Sequence, residues 1–296
     1  MRFSPKGVVV PIITPLTKEY KVNIPALCKL IDFLIDGGVH GIFAAGTTGE
    51  FYYLTNEEHQ EIVEATVDHV KGRTPVYAGI SSISTRQCIN LAKIAEKAGA
   101  NALTSLPPFY ISLTQNEIYE HFAAIAANTS LPIILYDNTP KTHLPINPAT
   151  VERLAKIPNI VALKDSTGDL TNTADVLNRT KGMDFQVLIG KESLFHAGLC
   201  YGASGTVAGT SNVAPKLVSS IYNKYISGDI AGSLEDQYKL LPLRLAYTLG
   251  SFPAVIKESL GLMGIDVGPC APPTKPMSAD EKEQLKKILK DLELIK

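Results

Sequence analysis

Eight short apolar runs punctuate the chain, at residues 7–13, 41–45, 75–79, 100–105, 132–136, 160–164, 185–189 and 204–207. None alternates apolar with polar positions, so each predicts a strand buried on both faces, the mark of a parallel sheet covered by helices. Between the runs lie longer stretches with apolar residues at helical spacing, as at 25–36, 56–70, 85–98, 115–128 and 148–156. Asn56 followed by Glu57 and Glu58 reads as a cap with acids in the first turn, where the macrodipole favours negative charge. Strand followed by helix, eight times over, predicts a (β/α)8 TIM barrel, and 296 residues suffice for one. The competing doubly wound sheet normally places a glycine-rich phosphate turn after its first strand, whereas this chain reads Thr14-Pro15-Leu16 there. Beyond Gly228 the strand signals stop and helical patterns occupy 229–247, 254–263 and 279–294, the last two separated by the proline-rich stretch 268–273. The expected organisation is a barrel domain over 1–227 and a C-terminal helical extension over 228–296.

Composition narrows the class. Apolar residues make up 45% and charged residues 19%, a globular mixture that excludes disorder as the main reading. Lys and Arg total 28 against 29 Asp and Glu, so no basic bias points to nucleic acid, and a small-molecule partner is expected. No window approaches the ~20 apolar residues of a membrane span, and the start Met-Arg-Phe-Ser-Pro-Lys lacks the pattern of a signal peptide. Cys28, Cys88, Cys200 and Cys270 are scattered without a CxxC pair, and the six histidines form no metal constellation. The expectation is a cytoplasmic protein with no membrane association, no metal and no cofactor.

Chemistry concentrates at predicted strand ends, where barrels place their sites. Lys164 closes the sixth run. Burial of a lysine disfavours the ammonium form and leaves an amine able to attack a ketone; the alternatives are a side chain that snorkels to solvent or pairs with Asp165. Tyr136 closes the fifth run, so its phenol would lie beside Lys164 and could relay a proton, unless it is only a capping aromatic at the rim. Gly46-Thr47-Thr48-Gly49-Glu50 follows the second run, and its amides and hydroxyls suit a carboxylate; it lacks the lysine of a phosphate-binding P-loop. Pro107-Pro108-Phe109-Tyr110 follows the fourth run and offers Tyr110 as a second phenol or a rim aromatic.

These segments, with Leu163-Lys164-Asp165-Ser166-Thr167-Gly168 and Phe252-Pro253-Ala254-Val255-Ile256-Lys257, lie in an order and spacing that resembles the pyruvate-dependent class I aldolases. That family includes dihydrodipicolinate synthase, N-acetylneuraminate lyase and 2-keto-3-deoxygluconate aldolase. The resemblance covers nearly the whole chain. It implies a Schiff base on Lys164, proton relay by Tyr136, and carboxylate binding by Thr47 and Thr48, with Thr47 linking Tyr136 to Tyr110. Gly46, Gly190, Glu192 and backbone groups near Val207 are expected to line the substrate. In the synthase branch the tyrosine matching Tyr110 comes from a neighbouring subunit, which implies a homotetramer built as a dimer of dimers.

Departures bear on the substrate. The synthase branch carries Tyr-Asn-x-Pro-x-Arg-Thr, whose arginine grips a second carboxylate; here Lys141 stands at that place and cannot form a bidentate fork. Phe51, Ile83 and Phe109 occupy the positions matching a lysine feedback site, so that regulation is not expected. Gly209 replaces the serine of neuraminate lyases. The expected reaction is therefore cleavage of a hydroxylated 2-oxo acid of the 2-keto-3-deoxy sugar acid type to pyruvate and an aldehyde. Thr142, Glu192, Thr210 and Ser211 are expected to read the hydroxyls at the barrel mouth. The alternatives are dihydrodipicolinate synthase condensing pyruvate with aspartate semialdehyde, a keto-deoxy sugar acid dehydratase, and a non-catalytic barrel that binds a 2-oxo acid.

Overall fold

The computed structural model describes residues 3–296. Eight parallel strands close into a barrel in sequence order: β1 Gly7–Pro11, β2 Gly41–Ala44, β3 Val76–Gly79, β4 Ala102–Ser105, β5 Ile133–Asp137, β6 Ile160–Asp165, β7 Gln186–Ile189 and β8 Gly205–Val207. Every predicted run overlaps one strand, β5 and β6 each extending one residue beyond it, so the barrel expected from the apolar pattern is the observed fold. The ring closes where β8 meets β1, and there Gly205 pairs with Gly7. A Cβ on Gly205 would collide with the Gly7 backbone, so the seam needs glycine.

The main helices are α1 Ile24–Asp36, α2 Asn56–Val70, α3 Thr85–Lys97, α4 Gln115–Ala126, the short α5 Thr139–Thr142, α6 Pro148–Leu154, α7 Leu170–Arg179, α8 Phe195–Tyr201, α9 Pro215–Ile226, α10 Ile230–Leu245, α11 Ala254–Leu262 and α12 Ala279–Asp291. The cap of α2 corrects the sequence reading. Thr55, not Asn56, is the N-cap: its hydroxyl accepts from the Glu58 amide while the Glu58 carboxylate accepts from the Thr55 amide, a reciprocal capping box that Asn56 cannot form one residue later.

Two apolar layers follow from the strand period. Val9, Phe43, Tyr77, Ile134, Ala162 and Leu188 fill the barrel, while Leu103, Leu135 and Leu163 face the helices. Helices α10 to α12 share their core with the start of the barrel, Leu240, Leu243, Ile256, Leu260, Leu285 and Leu289 joining Val8, Val10, Leu27 and Ile31. Each such fully buried aliphatic side chain contributes ~1.5–3 kcal/mol, which fixes the extension against the barrel. No helix among the described residues is long and apolar enough to cross a membrane.

Candidate active site

Strand parity brings the lysine and the phenol together. Tyr136 and Lys164 are register partners on β5 and β6, two residues beyond Ile134 and Ala162 on the inner face. Lys164 is 4% exposed, and its Nζ lies 3.6 Å from the Tyr136 ring centroid and 5.3 Å from that of Phe43. Asp165 belongs to the outer face, where Oδ1 accepts from the Thr167 amide and hydroxyl at 2.9 and 2.6 Å and Oδ2 from Thr173 at 2.7 Å. Lys164 forms no ion pair among the described residues, and neither snorkelling nor pairing with Asp165 describes it.

The Tyr136 hydroxyl accepts a hydrogen bond from Asn138 Nδ2 at 2.8 Å and lies 3.5 Å from Thr47 Oγ1. Burial opposes ionisation of this phenol, but the Lys164 ammonium, with hydrogen bonds from Thr47, Lys164 and Asn138, outweighs it and holds the pKa below the usual phenol value. Asn138 is free for this task because it precedes α5 without capping it through its side chain. Asp137 anchors the same segment, its carboxylate accepting from Thr139 and from the Ile146 amide at 2.9 Å.

The loop after β2 is held at both ends in left-handed backbone, Ala45 at φ 54° and Glu50 at φ 58°. Such positions cost about 1–3 kcal/mol outside glycine and persist only where other contacts enforce them. The enforcement comes from the extension. Glu50 Oε1 pairs with Lys257 Nζ at 2.7 Å, Glu50 Oε2 accepts from the Ala271 amide at 2.8 Å, and Lys257 also donates to the Pro269 carbonyl at 2.7 Å. Two motifs distant in sequence therefore meet in one buried ion pair that fixes Thr47 and Thr48.

These groups line a cavity of ≈ 330 Å³. Of the residues expected there, Lys164, Tyr136, Thr47, Thr48, Lys141, Gly190, Val207 and Glu192 are present. Gly190 is required sterically, since a Cβ there would collide with Ser166 Oγ. Gly46 does not reach the cavity; it packs over the Phe43 ring, where a Cβ would come within 2.8 Å. Thr142, Thr210 and Ser211 are buried outside the lining, Thr142 bonded to the Asn138 and Leu144 carbonyls, and they cannot read a substrate at the mouth. Tyr110 is 85% exposed and is not brought to Lys164 by its own chain.

The cavity also contains residues the sequence reading missed: Asn138, Ser166, Lys191, Tyr247, Phe252 and above all Arg244. Arg244 Nε lies 2.7 Å from Glu192 Oε2, off the line of an N–H···O bond, so the contact is an ion pair. A lone cation inside the apolar run Leu240 to Tyr247, with Arg244 and Tyr247 three residues apart on one helical face, was the available signal.

Residues 4–292 match the model of the dihydrodipicolinate synthetase family. The chain belongs to that family. It is similar to the 4-hydroxy-tetrahydrodipicolinate synthase of Methanopyrus kandleri, with 37% identity over 100% of this chain and 99% of the relative. Among solved structures it resembles the dihydrodipicolinate synthase of Thermotoga maritima, at TM-score 0.96 and 31% identity over 99% of this chain and 100% of that one. It also resembles a prophage protein of the dihydrodipicolinic acid synthase family from E. coli K12, whose crystal structure contains pyruvate, at TM-score 0.95 and 31% identity over 98% and 99% of the two chains. The protein is thus an enzyme of the dihydrodipicolinate synthetase family, a lyase of the Schiff-base class I aldolase type.

Proposed function

We propose that Lys164 forms the imine with pyruvate and that the enzyme makes and breaks the bond between pyruvate C3 and an aldehyde carbon. The observation that carries this reading is the buried Lys164 side chain, in no ion pair among the described residues and packed against a Tyr136 phenol whose hydroxyl is wired to Asn138 and Thr47. The amine adds to the keto carbon, and Tyr136 delivers the proton with which the former keto oxygen leaves as water. The imine draws electrons from C3, whose proton passes to the Tyr136 phenolate left by that step, which gives an enamine and restores the phenol. The enamine carbon attacks the aldehyde carbonyl, the new alkoxide takes a proton from Tyr136, and water then releases the product from Lys164. Thr47 and Thr48 hold the pyruvate carboxylate, with Gly190 and Val207 on the pyruvate side. Running backwards, the same steps cleave a hydroxylated 2-oxo acid.

Tyr110 enters this scheme only from a second copy of the chain, and its exposure beside Ile111, 59% exposed, supports a site completed across a dimer within a tetramer. Sedimentation of the purified enzyme checks the assembly.

The decisive test is borohydride reduction in the presence of pyruvate, followed by intact-mass measurement and peptide mapping. One adduct on Lys164 is expected, absent in Lys164→Ala; an adduct on another lysine, or none, removes the mechanism. Tyr136→Phe is expected to remain folded and lose about 10²-fold in turnover. Unchanged turnover would leave the phenol a packing residue.

A further inference from the structure

Pyruvate chemistry accounts for one part of the cavity and leaves another unexplained. Four cations line it, Lys141, Lys164, Lys191 and Arg244, against a single carboxylate, Glu192. One of the four is the nucleophile, and the carboxylate of pyruvate is a single charge.

Glu192 is not available to a substrate. Its side chain is 4% exposed, Oε1 accepts from the Thr210 amide at 3.0 Å, Oε2 faces Arg244, and the backbone carbonyl accepts from Gln237 Nε2 at 2.9 Å. The carboxylate is therefore a fixed post for the guanidinium. Arg244 in turn is 19% exposed, stands 5.1 Å from the Tyr247 ring centroid, and forms no other polar contact among the described residues. Nε lies 2.7 Å from Glu192 Oε2 without an aligned N–H···O bond, and the two terminal amino groups have no polar partner among the described residues, in the planar fork that matches a carboxylate.

A second, independent observation lies beside it. The Tyr247 hydroxyl is buried, belongs to a cavity-lining residue and has no hydrogen-bond partner among the described residues, an uncompensated desolvation unless a ligand supplies one. Gly209 leaves the adjoining niche open, for a Cβ there would stand 3.4 Å from both the Tyr247 hydroxyl and Glu192 Oε1.

Resting on the pyruvate reading above, we infer that Arg244, posted by Glu192 and assisted by the Tyr247 hydroxyl, is the specificity-determining receptor for a carboxylate at the far end of the aldehyde partner. The second substrate is an aldehyde that carries its own carboxylate. Lys141 does not serve as this anchor: its ammonium sits 5.4 Å from the Phe252 ring centroid and, as a point charge, offers no fork. Both a simple semialdehyde and the fragment of a keto-deoxy acid with a terminal carboxylate satisfy the receptor, whereas glyceraldehyde does not.

The test adds pyruvate to aldehydes with the purified enzyme: aspartate semialdehyde, succinic semialdehyde and tartronate semialdehyde against neutral glyceraldehyde and propionaldehyde. At least one acidic aldehyde is expected to exceed the neutral ones tenfold in kcat/KM, and the three semialdehydes distinguish the two sources. Arg244→Ala should raise KM for the acidic aldehyde at least 30-fold and change kcat/KM for neutral ones less than twofold. Arg244→Lys should recover only part of the loss, and Tyr247→Phe should raise the acidic KM several-fold. Borohydride trapping of pyruvate on Lys164 should be the same in all variants, so a wild type that fails to trap breaks the pyruvate reading, while intact trapping isolates the receptor. A wild type without acidic preference, an Arg244→Ala enzyme that loses acidic and neutral aldehydes equally, or a preference abolished by Lys141→Ala instead would each overturn the inference.

Discussion

Glu50–Lys257 and Glu192–Arg244 both join a loop at the barrel mouth to the helices that follow the barrel, and both close at 2.7 Å. Their surroundings differ. The first is sealed, with side-chain exposures of 1% and 4%, Glu50 Oε2 accepting from the Ala271 amide and Lys257 donating to the Pro269 carbonyl. The second has a sealed acid, 4% exposed, but a guanidinium 19% exposed that opens on the cavity beside an unpartnered tyrosine hydroxyl. A buried pair whose every partner is internal can only hold the fold, whereas a half-open pair with donors to spare can also bind. Distance alone does not separate a strut from a receptor; access to the cavity does.

The largest effect that tests this contrast is on stability. Lys257→Met leaves the Glu50 carboxylate charged in a dry site and removes the cation that holds a left-handed residue in place. A loss of about 3–5 kcal/mol is expected in urea unfolding, the scale for breaking one partner of a buried pair. The double variant Glu50→Gln/Lys257→Met should lose less than Lys257→Met alone, because no uncompensated charge remains. A cost below ~1 kcal/mol for the single variant would show that water reaches the pair, and the distinction between the two would vanish.

The first pair also shows where sequence reading stops. Strand runs, the barrel and the pairing of Tyr136 with Lys164 were legible because parallel strands leave a strong apolar signal and the last residue of each run falls at the mouth. Glu50 and Lys257 each stood inside a motif that was noticed, but their partnership depends on where the extension folds back, which no local period encodes. Arg244 was missed for the same reason. Thr142 was misplaced because a polar residue near a strand end can turn to satisfy loop carbonyls as readily as inward to the cavity, while Thr210 and Ser211 sit in the buried turn after β8, away from the cavity lining.

Acid sensitivity of the core comes from its buried histidines. His121 is buried, with Nδ1 2.9 Å from Thr85 Oγ1 and Nε2 unpartnered, and burial pushes its pKa down from 6.5 to about 4. Its neutral form is the folded one, so its contribution is complete above pH 6.5 and is lost as pH falls towards 4, when the unfolded chain binds the proton first. At ~1.4 kcal/mol per pH unit this amounts to about 3 kcal/mol. His59 and His40, also lowered by burial, add in the same direction. His121→Gln should flatten part of the fall in urea midpoint between pH 6.5 and 4; an unchanged fall would show that His121 carries none of it.

The smallest effect is the most discriminating. Glu192→Gln keeps an acceptor for the Thr210 amide at Oε1 and replaces only the oxygen that faces Arg244. The freed guanidinium is not stranded as Glu50 is in Lys257→Met, because it already opens on the cavity and can rotate into it. Stability should therefore fall by no more than about 1 kcal/mol, the range of a partly exposed pair. Function should respond differently, since a guanidinium without its post is no longer presented in one orientation: KM for an acidic aldehyde rises while kcat and pyruvate trapping are kept. If Glu192→Gln instead destabilises the enzyme as much as Lys257→Met, the Glu192–Arg244 pair is a second strut, and the open donors of Arg244 are incidental to it.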